Sequence, residues 1–174
     1  LPQRVLAAMQ NQTAARAALE QTAAQCRCWL GYARVAEFCR RRGMLDDAEV
    51  AFRRSVQQDP DNPRPYNNLA ALYKTRGNYK AAEEALLASI RLFPTATAYS
   101  NLGTIYYYLD RPNNFRKSAE AMEKARDLAQ NDYRYWANLA EMYALIPEKR
   151  DAARGVFQRA IELAEQQRTR DPGN

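Results

Sequence analysis

At 174 residues and 47% apolar content, the chain can bury the core of one domain, and no stretch reaches the ~18 apolar residues of a membrane span. It contains no histidine, which removes the commonest general base near neutral pH and the commonest zinc ligand together. Its 26 basic and 20 acidic residues are interspersed and leave a net charge of +6, a balance that suits a neutral or acidic partner.

Residues 1–28 are rich in Ala and Gln, with Val5, Leu6, Met9 and Leu19 as large apolar anchors. Asn11 and Thr13 are candidate breaks that would divide this segment into two helices. It reads as a capping helix or a degenerate repeat, the usual occupants of the end of a repeat array, with a dimer-forming arm as the alternative. Nothing in "AAQCRCWLG" forces a break before Trp29. Cys26, Cys28 and Cys39 read as buried or half-buried thiols, and their odd count fits a reducing compartment, which favours the cytoplasm.

From Trp29 onward the chain repeats itself. A shift of 34 residues lays Tyr32 on Tyr66, Gly43 on Gly77, Ala48 on Ala82, Ser55 on Ser89 and Pro60 on Pro94. The copies run over 29–62, 63–95, 96–132 and 133–174, and each reads as two helices. In the second, Asn62 is a helix N-cap and Pro63 a first-turn proline. Leu69, Leu72 and Tyr73 then recur at helical spacing and give one buried stripe. Gly77 supplies the left-handed turn that ends the helix. A second helix from Tyr79 buries Ala82, Ala85, Leu86 and Ile90 before Pro94 stops it. Ala82 is small because the two helices of the hairpin cross closely there. Such a hairpin cannot bury its apolar face alone, so the copies must stack.

The third copy has an interhelix loop, "LDRPNNF", about three residues longer, and Gln130 stands where the others have Pro. The fourth has one extra residue in its loop, and its last helix runs on through "LAEQQRTR". Its ending, "DPGN", is much like the "DPDN" between the first two copies and leads us to expect another repeat beyond Asn174. The start at Leu1 rather than Met likewise points to a piece of a longer protein.

This pattern resembles the tetratricopeptide repeat family over roughly residues 29–168. The motif places (an aromatic, Leu, a small residue and an aromatic, then Ala, a large apolar residue, a small residue and Pro) hold Tyr66, Leu69, Ala70, Tyr73, Ala82, Leu86, Ser89 and Pro94 in the second copy. The first holds Tyr32, Val35, Ala36, Cys39, Ala48, Phe52, Ser55 and Pro60. The third has Tyr99, Leu102, Gly103, Tyr106, Ser118, Met122 and Ala125; the fourth has Trp136, Leu139, Ala140, Tyr143, Ala153, Phe157 and Ala160. The late-stopping fourth copy is also similar to arrays attached to bacterial kinases and transcription regulators. The resemblance implies an all-α fold, a right-handed superhelical solenoid of antiparallel helix hairpins, whose first helices line a concave groove. It implies a non-catalytic scaffold for protein–protein interaction within a larger protein.

One recurrence is not a packing residue. "NNLAALY", "SNLGTIY" and "ANLAEMY" each carry Asn before the Leu, at Asn68, Asn101 and Asn138, with Arg34 at that place in the first copy. The residue before it is Ala33, Asn67, Ser100 or Ala137, all short enough to leave a groove open. The resemblance places both positions on the concave side. An amide that donates and accepts at once matches the alternating N–H and C=O of an extended peptide. Part of the preference for Asn is equally well a demand of the scaffold itself. Around it, Arg40, Arg64, Lys74 and Arg134 with Tyr107 and Tyr108 make a wall suited to an acidic or aromatic peptide. Tyr106 reads as core, so at least one of Tyr107 and Tyr108, each turned 100° from its neighbour, must face out. The clamp that chaperone-binding relatives use for paired carboxylates has Ala33, Glu37, Thr97 and Asn101 at its places here, which argues against chaperone C-termini as ligands.

Other function classes are weaker. "RRR" at 40–42 and an isoelectric point near 9.3 permit nucleic-acid binding, but acidic residues interrupt every basic stretch. No glycine-rich phosphate loop, metal cluster or nucleophile–base pair is present, so neither catalysis nor a cofactor is implied. Asp46 and Asp47 sit where a helix start favours negative charge. Self-association through the apolar ends of the array is the remaining alternative, since an unstacked repeat exposes an apolar face.

Overall fold

The computed structural model describes residues 3–26, 28–110 and 113–170, with only the backbone for 3–10, 12, 19 and 22. The side chains of the anchors Val5, Leu6, Met9 and Leu19 and the whole tail "DPGN" lie outside what it describes. Among the described residues all regular structure is helical: α1 (Gln3–Cys26), α2 (Trp29–Arg41), α3 (Leu45–Gln58), α4 (Pro63–Thr75), α5 (Tyr79–Leu92), α6 (Ala96–Leu109), α7 (Phe115–Leu128), α8 (Tyr133–Leu145) and α9 (Arg150–Arg170), with a short 3-10 turn at Pro147–Lys149. The architecture is an all-α helical repeat solenoid. Two compact units divide it, residues 1–78 and 79–174.

In the first unit, α1 packs on α2, α2 pairs with α3, and α3 packs on α4. Helix α1 runs unbroken through Asn11 and Thr13, against the expectation of two helices. Its Ala-rich composition explains this, because Ala carries the highest helix propensity and outweighs two polar residues. The break comes later, at Cys28, whose backbone is extended (φ −118°, ψ 142°). Cys26 and Cys28, expected as separate thiols, are joined across this break as a disulfide with Cα atoms 5.2 Å apart. Cys39 is the free, buried thiol, and burial raises its pKa. Gly31 allows α1 its approach: a Cβ there would stand 3.0 Å from Ala23 Cα. Arg16 of α1 also pairs with Asp47 of α3 at 2.6 Å.

The hairpin turns follow the glycines. Gly43 and Gly77 both have φ near +75° (75° and 73°), the left-handed conformation that side-chain-bearing residues resist. At the start of α4, Asn62 Oδ1 accepts from Arg64 N–H at 3.0 Å, with Pro63 in the first turn. The core is built from Val35, Ala36 and Cys39 of α2, Ala48 and Phe52 of α3, and Leu69, Leu72 and Tyr73 of α4. Ser55, read above only as small, is fully buried and donates to the Trp29 carbonyl at 2.7 Å. Its hydroxyl therefore ties α3 to α2 without leaving an unmatched polar atom.

In the second unit α5 packs on α6, α6 pairs with α7, α7 packs on α8, and α8 pairs with α9. Gly103 is small because α6 and α7 nearly touch: a Cβ would lie 2.8 Å from Met122 Cγ and 3.0 Å from the Ser118 carbonyl. Ser118 in turn donates to the Gly103 carbonyl at 2.7 Å. Ala119, Met122, Leu139, Met142 and Ile146 form a continuous core. Phe157 departs from the pattern. Its counterparts Phe52, Leu86 and Met122 are buried, yet Phe157 is 38% exposed and Ile161 one turn on is 51% exposed. Among the described residues no helix lies over that face of α9.

Candidate functional site

The first unit contains a cavity of about 580 Å³ between α2 and α4, lined by Trp29, Leu30, Ala33, Arg34, Glu37, Phe38, Arg41, Arg64, Asn67 and Asn68. Three residues singled out from sequence, Arg34, Asn67 and Asn68, meet here, brought together because α2 and α4 present equivalent positions. A second cavity, of about 540 Å³, shares Ala33, Glu37, Arg41 and Asn68 and adds Arg40 and Lys74.

The charges in this region differ in how free they are. Glu37 accepts from Arg40 at 2.8 Å and from Arg41 at 2.7 Å. Those guanidinium groups hold the Glu37 carboxyl down to about 2 despite partial burial. Arg42 lies over the Phe38 ring, 5.3 Å from its centroid. Two arginines of the "RRR" run thus engage Glu37 and the third covers the Phe38 ring. Arg34 and Arg64 are exposed, and neither side chain has an ion-pair partner among the described residues. Asn67 adds an unmatched group: its Oδ1 is buried and accepts no hydrogen bond among the described residues. A buried acceptor without a partner costs about 1–3 kcal/mol and calls for an explanation.

The second unit contains a different cavity, about 520 Å³, lined by Thr104, Tyr107, Tyr108, Met122, Asn138, Glu141, Met142, Ala144, Leu145 and Phe157. It brings together Tyr107, Tyr108 and Asn138, and Glu141 is the only charged residue among the described residues that line it. Tyr108 is the outward member of the tyrosine run, 45% exposed, and its ring stacks on Tyr79 with centroids 5.3 Å apart. Tyr107 is half-buried, edge-on to Tyr108 and stacked on Phe115 at 5.8 Å. Tyr106, read as core, is only half-buried; its hydroxyl is bonded to Glu83, and burial raises its pKa.

Two of the singled-out side chains are engaged with the scaffold. Asn138 donates from Nδ2 to Ser100 Oγ at 3.1 Å, a bond from α8 to α6. Arg134 turns back on its own helix start, donating to Asp132 Oδ2 at 2.6 Å, while Asp132 Oδ1 caps α8 by accepting from Arg134 N–H at 3.0 Å. The Arg134 charge holds the Asp132 carboxyl below its usual range. Asn101 is half-buried on α6.

A hydroxyl–carboxylate device between successive hairpins was not read from the sequence. Tyr73 of α4 donates to Glu49 of α3 at 3.2 Å, and Glu49 also holds Arg76. Tyr143 of α8 donates to Glu123 of α7 at 2.6 Å, and Glu123 also holds Lys149. The signal was present: the aromatic at this motif place is Tyr in three copies, and Phe would fill the same space without a hydroxyl. The earlier aromatic has a second use. Tyr66 donates to the Pro60 carbonyl at 3.1 Å and Trp136 to the Gln130 carbonyl at 2.8 Å. Because the carbonyl is what is bonded, Gln130 serves where another copy has Pro.

A tetratricopeptide repeat family model matches residues 40–104. No curated protein matches the chain by sequence. Among solved structures, a crystal structure of MamA superposes with a TM-score of 0.77 at 22% identity, covering 93% of this chain and 94% of that one. The yeast Tom70 structure gives a TM-score of 0.74 at 20% identity over 89% of this chain and 33% of that one. The first tetratricopeptide repeat domain of Spaghetti (RPAP3), solved with the HSP90 peptide SRMEEVD, gives 0.59 at 20% identity over 66% and 89%. At these identities the likeness is one of fold.

Proposed function

We propose that this chain, a tetratricopeptide-repeat solenoid and therefore a protein-interaction scaffold, binds an extended partner segment against its first helices, α2, α4, α6 and α8. It does so without catalysis. The observation that carries the reading is the α2–α4 cavity, where Arg34, Asn67 and Asn68 line one space beside Trp29, Leu30 and Phe38. Amides at Asn68, Asn101 and Asn138 offer donor and acceptor together, so they hold a backbone while tolerating varied side chains. The Oδ1 of Asn138 remains available for this role even though its Nδ2 bonds to Ser100. Lys74, Tyr107 and Tyr108 border the path; Arg134 contributes charge only after release from Asp132. The RPAP3 neighbour holds an acidic peptide, but Ala33, Glu37, Thr97 and Asn101 replace the cationic clamp expected of chaperone-binding relatives, so a different segment is recognised here.

The test is selection from a displayed library of random 12-residue peptides, repeated with the Asn68→Ala, Asn101→Ala, Asn138→Ala triple variant of verified helicity. Enrichment by the wild type that is lost in the variant supports the reading. Equal enrichment by both proteins removes the asparagines from the site.

The exposed Phe157 and Ile161 face on α9 favours a second reading, self-association through the end of the array. Light scattering across a concentration series tests it, and a strict monomer rejects it.

A further inference from the structure

Within the α2–α4 cavity, we propose that the recognised segment carries an acidic side chain beside a large apolar one. This inference rests on the extended-segment reading above and specifies the ligand. Three observations define it, each independent of the others. The cavity wall supplies apolar surface from Trp29, Phe38 and Leu30, and Leu30 is 45% exposed with nothing described covering it. Its charge balance is positive. Glu37 is already shared by Arg40 and Arg41, whereas Arg34 and Arg64 on the two facing helices have no acid of their own among the described residues. A guanidinium presents several donors in a planar fork, so a carboxylate is the complementary group. Finally, the buried Asn67 Oδ1 lacks a donor among the described residues, and a rotation of that amide towards a segment lying along α4 lets a backbone N–H supply one.

The volume, about 580 Å³, accommodates one large side chain with its flanking backbone. The second-unit cavity is lined at the repeat places of the 540 Å³ cavity, and the places of Arg34 and Arg64 hold Asn101 and Arg134, the latter already paired with Asp132, so acid recognition is assigned to the first unit alone.

Fluorescence anisotropy with two labelled 12-residue peptides tests this. One carries Asp-Leu-Phe-Asp between Gly-Ser flanks; the other has Asn in place of both Asp residues. At 50 mM salt the acidic peptide is expected to bind at least ten-fold more tightly, and the difference should shrink as salt screens the charges. An Arg34→Gln, Arg64→Gln double variant should bind both peptides alike. Asn67→Ala should weaken both peptides while leaving thermal stability unchanged or raised, because it removes an unmatched buried acceptor. A loss of stability would instead make that amide part of the scaffold and remove it from the site. Equal binding of the two peptides by the wild type overturns the acidic assignment and leaves the extended-segment reading standing. Binding of neither peptide, while library selection succeeds, does the same. If neither binds and the library also returns nothing, both fall together.

Discussion

Tyr143 donates its hydroxyl proton to Glu123 at 2.6 Å, from the first helix of the last hairpin to the second helix of the hairpin before it. Lys149, in the turn after α8, closes on the same carboxylate. Burial alone would raise the Glu123 pKa, but the ammonium and the hydroxyl outweigh it and hold the carboxyl below its usual value. Tyr73, Glu49 and Arg76 repeat the arrangement in the first unit. The recurring Tyr is therefore both a packing residue and an inter-hairpin hydrogen-bond donor.

Tyr143→Phe keeps the ring and removes the donor. It should lower stability by ~1–2 kcal/mol, the cost expected for a hydrogen bond to a charged group that retains its other partner. For a chain of this length that is a fall of roughly 2–8 °C in melting temperature, measurable by circular dichroism. An unchanged melting temperature would show the hydroxyl to be dispensable.

The depressed carboxyls set the acid limb of stability. Glu37 moves from 4.5 in the unfolded reference to about 2, and Glu123 moves in the same direction. A group with a lowered folded pKa stabilises fully above its unfolded value and loses that contribution as pH falls towards the folded value. Stability should therefore decline from about pH 4.5 down to about pH 2, and Lys149→Met should flatten the part due to Glu123. Urea unfolding at stepped pH checks this; a curve of the same shape in the variant would remove Lys149 as the cause. Glu37 is about a third exposed, so solvent screening reduces its share.

Gly103→Ala adds one methyl where Met122 Cγ and the Ser118 carbonyl leave no room. The gain in helix propensity, ~1 kcal/mol, is set against an overpacking cost of ~1–3 kcal/mol. Because one of the crowding atoms is backbone, the cost should win and the melting temperature should fall. A rise would mean that α6 and α7 separate readily.

The asparagines should divide by stability. Asn138→Ala removes the bond to Ser100 Oγ and should cost ~1 kcal/mol in denaturant unfolding. Asn68, lining the open cavities of the first unit, should tolerate Ala within ~0.5 kcal/mol. Equal losses at both would assign both amides to the scaffold.

Much of this fold was legible because the repeat states its own constraints. Ala48, Ala82 and Gly103 mark helix crossings, and Gly43 and Gly77 mark left-handed turns; a single residue type satisfies each demand. Asn62 and Pro63 announced a helix start for the same reason. The break at Cys28 was not legible, since no residue there forbids helix, and only the packing of α1 on α2 through Ala23 and Gly31 requires it. In the candidate site, the grouping of Arg34, Asn67 and Asn68 followed from their equivalent motif places. Which charges are free did not. Arg34 and Arg134 look alike in sequence, but Arg134 lies two residues from a capping Asp132 that claims it, and Arg34 has no such neighbour. The exposure of Phe157 was not legible either, since Phe52, Leu86 and Met122 at the same motif place are buried.

The most direct test of the central claim is calorimetric titration of one library-selected peptide into the wild type and into Asn68→Ala, Asn101→Ala and the double variant. Each amide lost should weaken binding about five-fold, and the double variant roughly 25-fold, as expected for two independent hydrogen bonds of ~1 kcal/mol. Unchanged affinity in all three variants, with the fold intact, would contradict the account and leave the recurring asparagine as part of the scaffold.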